Sequence, residues 1–211
     1  MCQAVRIETK STKDKIFEAA IDLFSRHGYS GVSIRDITRK VGIKESSLYN
    51  HYAGKDEILT VIFDYFQSEI LKMIPTENEI HDLVSRYTLD VILSRMLKRS
   101  QYYADNPSIE KIFRIITMEQ FHNQRARDIM LNEMCELPLN SIARIFELMI
   151  EKGFIIQVNA KVVAMEYLFV LKSLVSKFNI YKSFDMNTDE IEADMNTHLR
   201  FIYETVRKKD D

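Results

Sequence analysis

Two short helical patterns follow one another near the N-terminus and are separated by Gly42. In the first pattern Ile34, Ile37 and Val41 recur at i, i+3 and i+7, a spacing that places three side chains on one face of a helix. Ser33 stands just before this pattern, where its hydroxyl can accept a backbone N–H. Gly42 follows it and can take the left-handed conformation that ends a helix.

The second pattern, from residue 44 to residue 52, predicts a short helix with one buried apolar side chain. Leu48 is the side chain expected to be buried. The side chains expected to face outward are all polar: Lys44, Glu45, Ser46, Ser47, Asn50 and His51. A short polar helix held at an angle by a packed partner is a helix-turn-helix. This motif places side chains in the major groove of DNA.

The segment before these two helices predicts a third, amphipathic helix. Its apolar residues repeat at i, i+3, i+4, i+7 and i+8, and they are Ile16, Ala19, Ala20, Leu23 and Phe24. Ser11 and Asp14 resemble a capping box, with Asp in place of the usual Glu or Gln. Gly28 follows the last periodic turn. Residues 11–52 are therefore expected to form a three-helix unit around one small apolar core.

This N-terminal sequence resembles the tetracycline-repressor (TetR) family of transcriptional regulators. The matching runs are Ile16–Phe24, His27-Gly28-Tyr29, Ser33–Ile37, Gly42-Ile43, Ser47–Tyr52 and Lys55–Leu59. Beyond Leu59 the resemblance is only architectural. It implies an all-α fold, a DNA-binding first domain, a homodimer joined through the last two long helices, and a small-molecule pocket among the helices of the second domain.

The sequence departs from the family pattern at four positions. Thr38 and Val41 stand where the family usually has alanine. Lys44 replaces a common serine, which removes an N-cap from the recognition helix. Glu45 stands where a basic residue is common, and its carboxylate can either accept a hydrogen bond from a cytosine amino group or stabilise the helix N-terminus. These changes concern the DNA sequence that is recognised.

Ten residues are the predicted DNA contacts. The backbone after Ser33 and the side chains of Arg35, Tyr49, His51 and Lys55 have donors for phosphate oxygens. The side chains expected to face base edges are Lys44, Glu45, Ser46, Ser47 and Asn50. For Tyr49 the ring can pack inward while the hydroxyl reaches the DNA backbone. The alternative is that these residues form an ordinary solvated helix face.

Composition predicts an all-α protein of the cytoplasm. Only 5 Gly and 3 Pro occur in 211 residues, which leaves few turn signals. The net charge is −2, but residues 1–55 carry 10 Lys and Arg against 6 Asp and Glu, as expected if only the front of the chain meets phosphate. Two cysteines, Cys2 and Cys135, predict no disulfide framework, and neither a signal peptide nor a membrane span is expected.

Two domains are predicted, a helix-turn-helix domain at residues 1–55 and a larger helical effector-binding and dimerisation domain at residues 56–211. The helices expected in the second domain are 56–73, an unbroken 78–104, 108–118, 124–152 with a break or kink at Pro138, 159–178 and 187–208. Residues 160–178 are apolar on more than one face, so this helix can pair with its copy across a two-fold axis. The alternative is a helix buried within one monomer.

An apolar or aromatic effector is the predicted small-molecule partner. The candidate pocket residues are soft or aromatic: Phe63, Phe66, Tyr87, Met96, Tyr103, Phe113, Phe121, Phe146, Met149 and Tyr167. For any single one of them, a place in the apolar core is the simpler interpretation.

An enzymatic or metal site is not expected, and neither is a cofactor. Glu119 and His122 have the Glu-x-x-His spacing of di-iron bundles, but those sites need a second such pair, and the sequence has none. The leading hypothesis is a homodimeric repressor that a small molecule releases from a palindromic operator. The alternatives are a helical interaction protein that no longer recognises specific DNA, and a small-molecule enzyme or carrier bundle.

Overall fold

Helices account for nearly all of the regular structure in the computed structural model, which describes residues 10–104 and 106–208. The α-helices are α1 Thr12–His27, α2 Ile34–Val41, α3 Glu45–Leu48, α4 Lys55–Leu71, α5 Glu77–Arg86, α6 Leu89–Ala104, α7 Pro107–Glu119, α8 Gln124–Asp128, α9 Leu137–Glu151, α10 Ala160–Ser183 and α11 Asp189–Val206. A π-helical segment, Ile129–Glu136, joins α8 to α9. The one bridge between extended residues in this part of the chain pairs Ile155 with Arg207. The fold is all-α, as the sequence predicts.

The chain divides into two compact units. The first contains the residues up to Gln67 together with Lys111–Arg127, and the second contains Ser68–Glu110 and the residues from Asp128 onward. The compact units therefore do not follow the boundary predicted at residue 55. The predicted boundary separates a DNA-binding function from an effector-binding function, and it stays a prediction.

The first unit has a small apolar core built from short helices. Ile16 and Phe24 of α1, Ile37 of α2 and Leu48 of α3 have no exposed surface. The core also includes Ile112, Ile115 and Ile116 of α7, which are equally buried. The predicted apolar stripe of α1 is confirmed at Ile16, Ala19, Ala20 and Phe24, whereas Leu23 is half-buried.

The capping signals of α1 and α2 are those expected from the sequence. The Ser11 side chain accepts from the Asp14 amide while the Asp14 carboxylate accepts from the Ser11 amide, so the predicted capping box is present. Gly42 ends α2 in the left-handed conformation with φ 78°, where a residue with a side chain would be strained. These local signals place the turn of the helix-turn-helix.

The helix predicted at 78–104 is wrong, because the structure breaks it into α5 and α6. Tyr87 is extended, with φ −130° and ψ 147°, and the amide of Ile92 then bonds to the carbonyl of Thr88 to begin α6. The break changes which residues share a buried face. Ile92 and Leu93 enter the core of the second unit, whereas Val91 is only partly buried.

The second unit is a bundle whose longest helices are α6, α10 and α11. Pro138 lies in the first turn of α9, directly after the π-helical segment. The helix predicted at 159–178 continues to Ser183. The stripe of Met195, Leu199 and Ile202 on α11 packs into the core of this same unit.

The sequence also carries predictions about cysteines, membrane spans and metal binding. Cys135 is a free cysteine, while Cys2 lies outside the described residues, as do the charged residues Arg6 and Glu8. Within residues 10–104 and 106–208 no helix combines the length and the apolar character needed to cross a membrane. In the same part of the chain no three His, Cys, Asp or Glu side chains gather closely enough to bind a metal ion.

Candidate nucleic-acid interface

The α2–α3 pair is fixed by buried residues on its inner side. Ile37 is fully buried, and Thr38 is 2% exposed and donates to the carbonyl of Arg35 at 3.1 Å. The amides of Gly42 and Ile43 both bond to the carbonyl of Thr38, at 2.9 and 3.0 Å, which closes the end of α2. Thr38, where alanine is common in the family, is thereby satisfied inside the core.

The recognition segment, residues 44–52, contains a shorter helix than the sequence predicts. The α-helix covers only Glu45–Leu48, and Lys44 occupies the N-cap without a side-chain bond, as expected from the missing serine. Beyond it, the amides of His51 and Tyr52 bond to the carbonyl of Leu48 at 2.9 and 3.0 Å. Leu48 and Tyr52, 0% and 3% exposed, anchor the segment from its inner side.

The predicted base-facing side chains are arranged around this anchor. Lys44, Glu45, Ser46 and Asn50 are exposed, and Ser47 is half-buried. Among the predicted phosphate contacts, His51 is half-buried, and Tyr49 is 54% exposed, so its ring does not pack inward. The segment therefore offers donors and acceptors on one accessible surface, which is what direct contact with base edges and phosphates needs.

Arg35 and Glu45, two of the predicted DNA contacts, bind each other. The Arg35 Nε donates to Glu45 Oε1 at 2.9 Å, and both side chains are largely exposed. The hydrogen bond and the charge of Glu45 raise the pKa of Arg35. This ion pair joins α2 to α3. Sequence reasoning missed the pair, since no local spacing rule connects residues that lie in different helices.

Lys55, a further predicted phosphate contact, is held inside the first unit. Its Nζ donates to the carbonyls of Tyr29 and Val32 at 2.9 and 2.8 Å and lies 4.0 Å from the centroid of the Tyr29 ring. An ammonium group has three donors, and these bonds use two of them. Lys55 therefore clamps the loop before α2, a role that no sequence pattern indicates.

The N-terminus of α2, predicted to hold a phosphate, already has an anionic partner. Ser33 and Asp36 form a capping box in which Asp36 Oδ2 accepts from the Ser33 amide at 2.9 Å. Hydrogen bonds from the Ser33 side chain and backbone lower the pKa of Asp36. Since the Asp36 carboxylate occupies this end of the helix, a phosphate there would meet a like charge.

The ten predicted effector residues are divided between the two units. Phe63 and Phe66 are core residues of the first unit, while Phe113 and Phe121 of that unit are 36% and 81% exposed. Five belong to the second unit, where three are buried and two pack against the core: Phe146, Met149, Tyr167, Tyr87 and Met96. The side chain of Tyr103 lies outside the described residues.

Two shallow concavities are formed by other residues. One, of about 360 Å³, lies in the first unit and is lined by Leu23, His27, Gly31, Val32, Asp36, Arg39 and Lys40. The other, of about 350 Å³, lies between α9 and α10 and is lined by Glu147, Ile150, Glu151, Gln157, Val158, Asn159, Ala160 and Lys161. Neither contains a predicted effector residue, so the effector site stays a prediction.

Glu119, considered above for metal binding, has a structural partner instead. Its Oε1 accepts from the amide of Tyr29 at 3.1 Å, in the turn that follows α1. The carboxylate therefore satisfies a backbone donor of the DNA-binding unit. This bond joins residues far apart in sequence, and no sequence signal indicates it.

Comparison with known proteins finds similarity to bacterial regulators. Residues 16–62 match the family model described as bacterial regulatory proteins, tetR family. The chain is 45% identical over 64 residues to the biofilm operon icaADBC HTH-type negative transcriptional regulator IcaR of Staphylococcus epidermidis, a match that covers 28% of this chain and 35% of that protein. It is 36% identical over 84 residues to IcaR of Staphylococcus aureus strain Newman, covering 38% and 45% of the two chains. The chain thus spans less than half the length of these curated relatives.

The similarity of fold extends over nearly the whole chain. The TetR-family transcriptional regulator PfmR of Thermus thermophilus superimposes with a TM-score of 0.64 over 91% of this chain and 97% of that one, at 18% identity. At this identity the superposition shows the fold alone, whereas the match over residues 16–62 carries the family. Residues 16–62 are therefore similar to the TetR family of bacterial regulatory proteins, and the fold is similar to that of a TetR-family regulator over nearly the whole chain.

Proposed function

We propose that this protein is a sequence-specific DNA-binding transcriptional regulator, and that it acts as a homodimeric repressor released from a palindromic operator by a small molecule. The observation that carries the proposal is the recognition segment. Leu48 and Tyr52 anchor it from within, while Lys44, Glu45, Ser46 and Asn50 stay accessible. A rigid anchor with polar side chains on its outer surface is what recognition in a major groove needs.

The ten predicted DNA contacts divide into two groups in this proposal. Lys44, Glu45, Ser46, Ser47 and Asn50 face base edges and set the operator sequence. Arg35, Tyr49, His51 and Lys55 serve phosphates and set the orientation on the duplex. Ser33 serves a phosphate only where its amide leaves the Asp36 carboxylate. Arg35 leaves Glu45 to reach a phosphate, and Lys55 uses the donor that its two carbonyl bonds leave over.

The apolar surface of α10 supports the proposed homodimer. Val162, Met165 and Phe169 lie along one stripe at i, i+3 and i+7 and are 50%, 40% and 41% exposed. Phe201 of α11 is 60% exposed. Apolar side chains grouped in this way mark a protein–protein contact, and identical helices can cover each other across a two-fold axis. Two recognition segments would then meet half-sites about 34–36 Å apart.

An apolar or aromatic effector acts on this dimer through a difference in affinity. A ligand releases DNA only if it binds the conformation with the wrong half-site spacing more tightly than the DNA-bound one. Ligand responsiveness is typical of the family, and the second unit, with Tyr87, Met96 and Phe146 in or against its core, is the proposed place for the ligand.

The proposal is tested by selecting bound sites from a random duplex library at low and at moderate salt. Recovery of an inverted repeat supports a dimeric sequence-specific regulator, and affinity for it should fall steeply as salt rises, because phosphate contacts release counterions. The matched variant is Phe169→Glu, which is expected to yield monomers by sedimentation and to lose the repeat while it keeps weak half-site binding. Recovery of no specific site would overturn the proposal in favour of a helical interaction protein.

A further inference from the structure

One carboxylate of the first unit binds cations from three separate elements. Asp22 of α1 accepts from Lys111 of α7 through Oδ1 at 2.7 Å and from Lys40 of α2 through Oδ2. Arg26 of α1 lies 3.1 Å from Oδ1. The Asp22 side chain is only 15% exposed, whereas the side chains of its three cationic partners are 36–62% exposed. Hydrogen bonds from Lys111 and then Lys40 hold the pKa of Asp22 well below its usual range.

The helix that Asp22 tethers through Lys40 is short, and most of its side chains are exposed or half-buried. Of the eight residues of α2, only Ile37 and Thr38 are buried. A helix of this length is not stable alone, so its orientation depends on whatever it packs against. The Lys40–Asp22 bond is therefore one of the contacts that orient the end of α2 nearest the recognition segment.

Residues 111–127 complete this arrangement from the other side. Besides Lys111, they include Glu119, whose carboxylate accepts from the Tyr29 amide at 3.1 Å. Phe113 stacks on Phe66 with ring centroids 6.5 Å apart. α7 thus contacts both α1 and the turn that leads to α2. The first unit extends beyond the matched residues 16–62 and includes this distant segment.

We propose that Asp22 is a positioning residue for DNA binding, whose carboxylate fixes α2, and with it the recognition segment, against residues 111–127. The inference rests on the proposed DNA-binding function. Asp22 touches no DNA in this proposal and acts only through Lys40 and Lys111. It sets how well the recognition segment fits base edges, which governs specific binding and leaves non-specific binding to phosphates unaffected.

The Asp22→Asn variant separates this role from a simple effect of charge. Loss of a carboxylate makes the DNA-binding unit more positive, and electrostatics alone would then strengthen binding to any DNA. Loss of positioning instead weakens binding to the selected site, by about tenfold if one base contact is lost. The two effects have opposite signs, so the direction of the change identifies the cause.

The experiment measures the dissociation constant of the full-length chain for its selected site and for a scrambled duplex, together with the thermal midpoint. Asp22→Asn is expected to lose about tenfold for the selected site and less than twofold for the scrambled one. Asp22→Glu should restore specific binding. Lys111→Met should reproduce the loss, and the double variant should add nothing further, since both changes break one tether. Asp82→Asn, which breaks the 2.6 Å pair with Arg86 in the second unit, is the matched control and should bind normally.

Two results would overturn the inference. Asp22→Asn could bind the selected site as tightly as the wild type or more tightly, which would leave Asp22 with a charge effect only. Alternatively, both duplexes could lose affinity in proportion to the unfolded fraction, which would make Asp22 a folding residue. A wild-type chain without any specific site would overturn the proposed function itself, so the two failures are distinguishable.

Discussion

The two compact units expose surfaces of opposite chemistry. In the first unit, the accessible residues of the recognition segment are polar, and they include Lys44, Glu45 and Asn50. In the second unit, α10 leaves Val162 and Phe169 accessible, with half or nearly half of each side chain exposed. A polar surface with hydrogen-bonding groups suits nucleic acid, whereas an apolar stripe suits another protein. The two parts of the proposed function, DNA binding and dimerisation, therefore rest on different units.

The units also differ in how they are held together. The first adds charged clamps to its buried apolar residues, such as Lys55 on two carbonyls and Asp22 on two lysines. The second relies on a large apolar core, in which Tyr167 is 3% exposed and donates to the carbonyl of Leu93 at 3.2 Å. Loss of a charged clamp should therefore matter most in the first unit, and loss of apolar volume should matter in both.

The largest expected effect comes from removing a fully buried ring in either unit. Phe24→Ala and Phe146→Ala each remove a side chain without exposed surface, and each should lower the free energy of unfolding by about 3–5 kcal/mol. Phe24→Ala should abolish DNA binding and keep self-association, and Phe146→Ala should lose self-association as well. Denaturant titration and sedimentation measure both. Equal loss of both activities in Phe24→Ala would show that the chain unfolds as one cooperative body.

Lys55→Met is expected to have the next largest effect. It leaves the carbonyls of Tyr29 and Val32 without their charged donor, and hydrogen bonds to charged groups contribute about 2 kcal/mol. In the absence of DNA, the free energy of unfolding should therefore fall by about 2 kcal/mol. The matched control is Lys44→Met, which is exposed and should change DNA affinity while leaving stability unaltered. If Lys55→Met unfolds at the wild-type denaturant concentration, its clamp does not stabilise the unit.

A smaller effect, of about 1 kcal/mol, is expected from removing an N-cap in either unit. Ser33→Ala and Thr76→Ala each remove the hydroxyl of a capping box, whose acidic partners are Asp36 and Glu79. Because the two caps have the same geometry, the two losses should be similar at pH 7. Denaturant titration of both variants measures the two losses of stability. If only one variant loses stability, the cap removed in the other variant is not formed in solution.

The same caps predict a dependence on pH. Hydrogen bonds from the caps lower the pKa of Asp36 and of Glu79 in the folded state. A group with a lowered pKa stabilises the fold above its unfolded pKa of about 4, and this contribution disappears as the pH falls through the folded value. Asp36→Asn and Glu79→Gln should therefore differ from the wild type at pH 7 and converge with it in acid. A stability difference that persists at acidic pH would contradict the assignment.

The parts of the fold that the sequence predicts are those with local signals. The capping box at Ser11 and the left-handed Gly42 depend on neighbours within four residues, and both were correct. The break at Tyr87 was missed because the apolar spacing continues across it, and only packing of Ile92 and Leu93 into the core decides against a straight helix. Periodicity alone cannot distinguish one long helix from two that bury different faces.

The candidate site was predicted as a set of residues but not as a set of contacts. The outward direction of Lys44 and Asn50 follows from the single buried Leu48. The bond between Lys55 and the Tyr29 carbonyl spans 26 residues, and that between Glu119 and the Tyr29 amide spans 90. Such bonds depend on tertiary structure, for which a single sequence has no spacing rule. The pairing of Arg35 with Glu45 belongs to the same class.

Glu45→Gln is expected to have the smallest effect on stability and to decide how the recognition segment works. Its ion pair with Arg35 is exposed, and exposed pairs contribute little to folding, so the unfolding midpoint should not move. Loss of the negative charge should strengthen binding to all duplexes through electrostatics. If Glu45 accepts from a cytosine amino group, the preference for one base pair in each half-site should also fall by about tenfold. Repeating the library selection separates the two effects. Arg35→Gln is the matched control, and it should lower the affinity for all DNA sequences alike. An unchanged base preference in Glu45→Gln would restrict Glu45 to holding α3 against α2.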